Sequence, residues 1–322
     1  MPLKSAPFGT FDATRLVENA PLSAFTTWRV GGAARWLLHA RADELPFVFD
    51  ACHRRGIPVY KLGAGSNLLV SDSGLPGLVV CFRRTLQKIW FHEDQITAEA
   101  GALMPRLART AARNGCAGFE FLAGIPGTVG GGVALNCGTE ASEQRELKLV
   151  LKAVDVVDDR GREQRIDDIR HLGMSYRTTR IAEYGLTVLR AMFRPDIRGD
   201  PGLISLRMAH HLDERRRKQP IRAKTAGSTF KRVPGGLPAG WYIEQCNLKG
   251  LAIGGARISP KHANWIENCG SATSADIEAL IETVQGKVEA RFGIVLEPEI
   301  HWLGNRPPKF RVAEPGTAPG LC

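Results

Sequence analysis

Residues 124–136, GIPGTVGGGVALN, place five glycines and one proline in thirteen positions and carry no charged residue. Glycine weakens a helix or strand by roughly 0.5–1 kcal/mol relative to alanine, so this density suits a backbone that must turn tightly or be approached closely. A second loop, LGAGSNLLVSD at 62–72, follows a predicted strand. Backbone N–H groups freed of side chains can face phosphate oxygens, and two such loops suit a dinucleotide. For either loop alone, tight turns remain the simpler reading. The chain has no G-x-x-x-x-G-K-[ST] motif, and Gly63-Ala64-Gly65-Ser66-Asn67 lacks the third glycine and downstream acid of a Rossmann fingerprint.

The 322 residues suit about two domains, and 43% apolar residues are enough for a sizeable core. The N-terminal MPLKSAPFGTFDATRLV has no basic flank leading into an apolar run, and no stretch approaches the roughly 20 apolar residues of a membrane span, so a cytoplasmic protein is expected. Seven widely spaced cysteines, never in C-x-x-C, argue against a disulfide framework, and histidine spacing gives no support to a metal site. The net charge of +10 is concentrated in His210–Lys218 and continues through Arg222 and Lys224. Such charge attracts nucleic acid, acidic lipid or small polyanions, and the plain structural reading is a solvated helix face. No zinc-finger, RNP or homeodomain pattern accompanies it, and the aromatic residues do not interleave with the basic run, so neither nucleic acid nor membrane is expected as a partner.

Helices are expected at 42–56 and 101–115, each ended by glycine, and two strands within 147–166 joined at Asp159-Arg160-Gly161. Another strand is expected from Leu186. The last third reads as α+β. Thr273 to Asp276 offers a cap for a helix with the stripe Ile277, Leu280, Ile281, Val284, Val288, stopped by Gly293. A strand is then expected in IVLEPEIHW, with Leu296, Ile300 and Trp302 on one face and Glu297, Glu299 and His301 on the other. The proline-rich tail from Asn305 is expected to be largely disordered.

The order TTWRVGG (26–32), LGAGSNLLVSD, FLAGIPGTVGGGVALN, Tyr176-Arg177, AGSTFKR (226–232), IEQCNLKG (243–250), SPKHANWIEN (259–268) and LEPEI (296–300) resembles the UDP-N-acetylenolpyruvoylglucosamine reductase (MurB) family of bacterial peptidoglycan synthesis across roughly residues 22–304. The resemblance implies an α+β protein: a two-subdomain FAD-binding fold of the vanillyl-alcohol-oxidase (PCMH) type plus a C-terminal α+β substrate domain. The implied boundaries are 1–80 for the first FAD subdomain, with 301–322 returning to it or disordered, 81–216 for the second, and 217–300 for the substrate domain.

It also implies a tight, non-covalent FAD lined by Gly63, Ala64, Gly65, Ser66, Asn67, Leu68, Gly124, Ile125, Pro126, Gly127, Thr128, Gly130 and Gly131, with Asn136 nearby. NADPH would be the reductant and UDP-N-acetylglucosamine enolpyruvate the substrate, with a monomer expected. By the same resemblance, Arg177 holds the substrate carboxylate, Ser228 donates a proton to carbon, and Glu299 assists. Tyr176, Lys231, Arg232 and Lys261 would bind substrate, the last three at its diphosphate.

These residue types suit the chemistry. Hydride addition to an enolpyruvyl ether builds negative charge beside a carboxylate, which calls for a fixed cation and an acid. Glu297 shares the predicted strand face with Glu299 and is its rival. Two departures from the family pattern stand out: Ile181 replaces an aromatic residue in the segment after Tyr176-Arg177, and Arg232 replaces an asparagine. The 51 positions from Arg177 to Ser228 leave no room for the tyrosine-bearing loop of longer members, which matches the shorter, type II subclass.

Overall fold

A computed structural model describes residues 3–139 and 145–304, so the tail from Asn305, with its expected disorder, lies outside the described residues. Two compact units are built from interleaved segments. The first takes the described residues up to Ala20, then Ala34–Ala64 and 76–217; the second takes Pro21–Ala33, Gly65–Leu75 and the described residues from Lys218 onward.

In the first unit, one sheet orders the strands Glu163–Ile166, Leu151–Val157, Thr187–Phe193, Gln95–Glu99 and Ile89–His92. All its neighbours are antiparallel. The turn at 159–161 joins the first two as expected. A second sheet orders Leu16–Pro21, Ala33–Leu38, Leu75–Cys81 and Val59–Leu62. Helix α1 (Leu45–Arg54) joins the second of these strands to the fourth, and α2 (Met104–Arg113) follows the strand Gln95–Glu99 of the first sheet. Both helices bury residues at i, i+3, i+4 and i+7: Leu45, Val48, Phe49 and Cys52 in one, Met104, Leu107, Ala108 and Ala111 in the other. The predicted glycine stops hold, with Gly56 and Gly115 in the left-handed region at φ 63° and 66°. The glycine stretch itself forms a single short helix, α3 (Val129–Ala134), and the basic run ends a long one, α4 (Pro201–Lys218).

In the second unit, α5 (Ala239–Gln245) and α6 (Ser274–Phe292) accompany an antiparallel sheet of Ala252–Ile253, Ala256–Ile258 and Ile266–Asn268. The cap on α6 is reciprocal: Asp276 N donates to Thr273 Oγ1 at 3.1 Å, and Thr273 N donates to Asp276 Oδ2 at 3.0 Å. The stripe of Ile277, Leu280, Ile281, Val284 and Val288 is fully buried, as predicted.

The strand predicted in IVLEPEIHW is shorter than expected. Only His301–Leu303 is regular, pairing in parallel with Leu68–Val70. Pro298 interrupts the ladder because it has no N–H to give, and it makes only an isolated bridge opposite Phe230. The alternation survives where it matters, since Leu296 and Ile300 are buried while Glu297 and Glu299 are half-exposed.

Candidate active site

The first unit gathers Arg177, the second glycine loop and part of the first. Arg177 sits at φ 53°, a left-handed conformation that costs a non-glycine residue roughly 1–2 kcal/mol. Three contacts hold this strained turn. Asn136, itself at φ 42° and fully buried, donates through Nδ2 to Ser175 O at 2.9 Å and to Glu146 Oε2 at 3.1 Å, and accepts from Lys148 N at 3.0 Å. Thr179 Oγ1 donates to Ala134 O at 2.7 Å. Arg177 Nη2 donates to Gly138 O at 3.0 Å, and its guanidinium lies 5.0 Å from the centre of the Tyr176 ring. The Asn136 side chain thus braces the Arg177 turn. Ile181 is buried in the same core, so the missing aromatic ring leaves no polar gap at that position.

The glycines of the loops divide by what a Cβ would meet. At Gly63 it would strike Thr128 Oγ1, at Gly130 the Ala100 methyl at 2.9 Å, and at Gly132 the Met104 methyl. These glycines serve packing. At Gly124 the obstacle is the Arg215 side chain, with Cδ at 2.5 Å and Nε at 3.0 Å. Gly131 is different: it is exposed, and a Cβ there would find nothing nearer than Thr128 Oγ1 at 3.5 Å. The amides of Val129, Gly130 and Gly132 are already spent on Ala102, Ala100 and Thr128 carbonyls. The expectation that this loop turns its N–H groups outward is corrected at those three positions.

Arg215 was not singled out from sequence. Ile204, Met208, Leu212 and Arg215 follow one another at intervals of four, four and three along α4, and the first three pack into the core. That spacing turns Arg215 inward with them, so a wholly solvated basic face is not what α4 presents.

The second unit gathers Asn67, Ser228, Lys231 and Glu299. Ser228 pairs with Trp265 and Phe230 with Pro298 as antiparallel bridges. Thr229 N donates to Asn264 O at 2.8 Å, and Glu299 N donates to Thr229 O at 2.8 Å. The buried Asn264 side chain clamps both polar groups of Phe230, accepting from its N at 3.0 Å and donating to its O at 2.8 Å. Asn67 Nδ2 donates to Glu299 O at 3.0 Å, and His301 N returns a bond to Asn67 O at 2.9 Å. Three stretches distant in sequence thus meet on either side of Ser228.

The rival carboxylates separate here. Glu297 Oε1 accepts from Lys231 Nζ at 2.6 Å, which neutralises Glu297 and engages Lys231. Arg232 donates to Gly236 O at 3.2 Å, and both Arg232 and Lys261 are exposed.

Gly65 stands at φ 65°, and a Cβ there would strike Phe25 O, so no other residue fits. Among the described residues, no acceptor takes the amides of Ala64, Gly65, Ser66 and Asn67, which leaves four consecutive donors for an anion. A run of free amides of this kind suits an anionic group such as the diphosphate of FAD.

Burial pushes the Cys137 thiol up to about 12, against the pull of the Arg177 charge. No cluster of three or more His, Cys, Asp or Glu suited to a metal occurs among the described residues, and no helix there is long and apolar enough to cross a membrane.

Residues 219–303 match the model of the UDP-N-acetylenolpyruvoylglucosamine reductase C-terminal domain, and residues 36–167 match an FAD binding domain. A UDP-N-acetylenolpyruvoylglucosamine reductase from Synechococcus sp. (strain JA-3-3Ab) is 41% identical over 292 residues, covering 90% of this chain and 92% of its own. One from Heliobacterium modesticaldum is 38% identical, covering 90% and 91%. The crystal structure of the UDP-N-acetylenolpyruvylglucosamine reductase (MurB) from Thermus caldophilus aligns with TM-score 0.75 at 34% identity, over 90% of this chain and 98% of that one. The α+β FAD-binding fold with a C-terminal α+β domain, expected from the motif order, is the fold of this chain. Identity at this level, sustained over 90% of the chain, makes it a member of the UDP-N-acetylenolpyruvoylglucosamine reductase family.

Proposed function

We propose that this chain reduces UDP-N-acetylglucosamine enolpyruvate to UDP-N-acetylmuramate with NADPH and FAD, in peptidoglycan precursor synthesis. The observation that carries this reading is the similarity, over 90% of the chain, to reductases of that name. Residues 1–80 and 81–216 serve as the two FAD subdomains and 217–300 as the substrate domain. Ala64 to Asn67 offer amides to the cofactor's diphosphate, and Gly131 is the glycine of the second loop assigned to lie beside the cofactor. When bound, FAD supplies the relay that takes hydride from NADPH and gives it to the terminal carbon of the enolpyruvyl group.

The chain's own residues handle charge and proton. Arg177 holds the substrate carboxylate, since a guanidinium stays charged and offers parallel donors. Its strained turn fixes where that carboxylate sits, which favours a geometry set before substrate arrives. Ser228 gives its hydroxyl proton to the carbon beside the carboxylate. A serine hydroxyl is a weak acid, so it works only against a strongly basic carbon and with its proton replaced. Glu299, on the segment bonded to Thr229, is the group assigned to assist that transfer, while Glu297 positions Lys231. Lys231, Arg232, Lys261 and Tyr176 receive the rest of the substrate, with the cations at its diphosphate. NADPH and nucleotide sugars are cytoplasmic metabolites, so the reading carries a cytoplasmic monomer, which light scattering on a sizing column tests.

The test of the whole reading is a visible spectrum taken anaerobically. A yellow protein should bleach with NADPH and regain its colour when the enolpyruvyl sugar is added. A yellow protein indifferent to the sugar would place it among other flavin oxidoreductases, and one that cannot be loaded with FAD would end the reading.

A further inference from the structure

One group of cations in the first unit lies outside the reductase reading. Arg41, Arg84, Lys88 and Arg106 line a cleft of about 510 Å³, within the range of about 300–1,000 Å³ usual for small-molecule sites. None of them is assigned to cofactor or substrate. Elsewhere in this unit several arginines sit against carboxylates, Arg15 on Glu44 and Arg207 on Glu120 among them. In the cleft the lining carboxylate is Glu99, and it serves the backbone instead: its Oε2 accepts from Lys88 N at 2.7 Å. Glu44, three positions after Arg41, is taken by both prongs of Arg15, at 2.6 and 2.7 Å. Among the described residues, Arg41, Lys88 and Arg106 form no ion pair.

The backbone that carries these cations is pinned. Leu86 is buried at φ 44°, a left-handed position that persists only where the surroundings enforce it. Its carbonyl accepts from Gly101 N at 2.9 Å, and Lys88 O accepts from Glu99 N at 2.9 Å. A Cβ on Gly101 would strike Phe82 O and Thr85 O, so the loop lies directly on that glycine. Arg106 Nη1 donates to Gln87 O at 3.0 Å, which ties the α2 guanidinium to the same loop. Thr85 Oγ1, beside them, is shielded from water and has no hydrogen-bond partner among the described residues.

Cations gathered without counter-ions repel one another, and an anion placed among them relieves the repulsion. Guanidinium forks match phosphate oxygens two at a time, and an ammonium adds a point charge. No aromatic ring lines the cleft, and its apolar lining residues are Ala42 and Leu86, so it offers no face on which a nucleobase would stack. The recognised part of a ligand is therefore its phosphates, and a linked chain of them reaches cations on three separate segments where a single phosphate does not. We propose that this cleft is a binding site for a linked polyphosphate, inorganic or the triphosphate tail of a nucleotide, separate from the cofactor and substrate sites.

The experiment is calorimetric titration of the FAD-loaded full chain with inorganic tripolyphosphate, ATP, orthophosphate and citrate, without divalent metal. Salt is held at about 0.1 M, where exposed charges more than about 10 Å apart are largely screened. Tripolyphosphate should bind roughly 10- to 100-fold more tightly than orthophosphate or citrate. Arg106→Gln and Lys88→Gln, both at exposed positions, should each weaken it roughly 5- to 20-fold. Arg217→Gln removes the same charge from the exposed end of α4 and should leave it within about twofold. ATP bound as tightly as tripolyphosphate supports a site that reads the phosphate chain alone; tighter ATP supports the same site with a nucleotide as its source. Binding that survives both cleft variants, or that falls equally in Arg217→Gln, reflects general positive charge and overturns the proposal. Citrate bound as tightly as tripolyphosphate overturns it as well. Release of FAD as tripolyphosphate binds, followed by flavin fluorescence, would make the cleft part of the cofactor site and overturn it too.

Discussion

The two units hold their candidate residues by opposite means. In the first, Arg177 occupies a left-handed backbone position that side chains must enforce, chiefly the buried Asn136. In the second, Ser228 is held by an antiparallel bridge to Trp265, and the Asn264 clamp fixes Phe230 two positions on. A strained cation is placed once and kept there, which suits a group that binds. A residue in a ladder is placed by its neighbours, which suits a group whose proton must be restored each turnover. The contrast shows one protein fixing charge by strain and fixing a proton donor by pairing.

The comparison breaks first at the chemistry. Ser228→Ala should slow the sugar-dependent half-reaction by roughly 100- to 10,000-fold and leave reduction by NADPH near wild type, as read by anaerobic stopped flow. If NADPH reduction slows equally, Ser228 has another task. Next is the ladder itself: Asn264→Ala strips both polar groups of buried Phe230 of their partners and should cost about 2–4 kcal/mol in urea unfolding. A smaller cost would mean that the bridges hold Ser228 without the clamp.

Two neighbouring glycines sharpen the first unit. Gly132→Ala drives a methyl into Met104 and should destabilise by about 1–3 kcal/mol. Gly131→Ala meets open space and should leave stability within about 0.5 kcal/mol while weakening FAD, measured by flavin fluorescence on dilution. Unchanged FAD affinity would remove Gly131 from the cofactor's surroundings.

The smallest effect belongs to the α6 cap. Asp276→Asn should cost about 1 kcal/mol. Backbone hydrogen bonds from Thr273 and then Gly255 hold the Asp276 carboxyl below its ordinary value. A depressed carboxyl stabilises the fold above its unfolded pKa, and that contribution disappears as pH falls through the folded one. The wild-type advantage over the Asn variant should therefore be present at neutral pH and shrink in acid.

Where the sequence spoke clearly, it did so through local rules. The α6 stripe, its Thr273 cap and its Gly293 stop lie within one helix, the glycine stops of α1 and α2 lie at their ends, and all are legible. The alternation in IVLEPEIHW is legible as well, but the missing N–H of Pro298 outweighs it and shortens the strand. The inward turn of Arg215 is written in its spacing from Ile204, Met208 and Leu212, a period that the surrounding density of charge masks. Asn136 gave no signal, because its partners at Glu146, Lys148 and Ser175 are known only once the chain is folded. The interleaving of Pro21–Ala33 and Gly65–Leu75 with the C-terminal third was likewise hidden, since long-range pairing leaves no local period.

That interleaving has a consequence for synthesis on the ribosome. The indole of fully buried Trp28 donates to Ile266 O at 2.7 Å, across 238 positions. At the usual translation rate of about 5–20 residues per second, the nascent chain carries Trp28 without that partner for roughly 10–50 s. The first unit can begin folding during that interval, whereas the second must wait for the last strand to emerge. A message truncated before codon 266 would release a chain with this tryptophan and its apolar neighbours uncovered, ready for a chaperone or for aggregation.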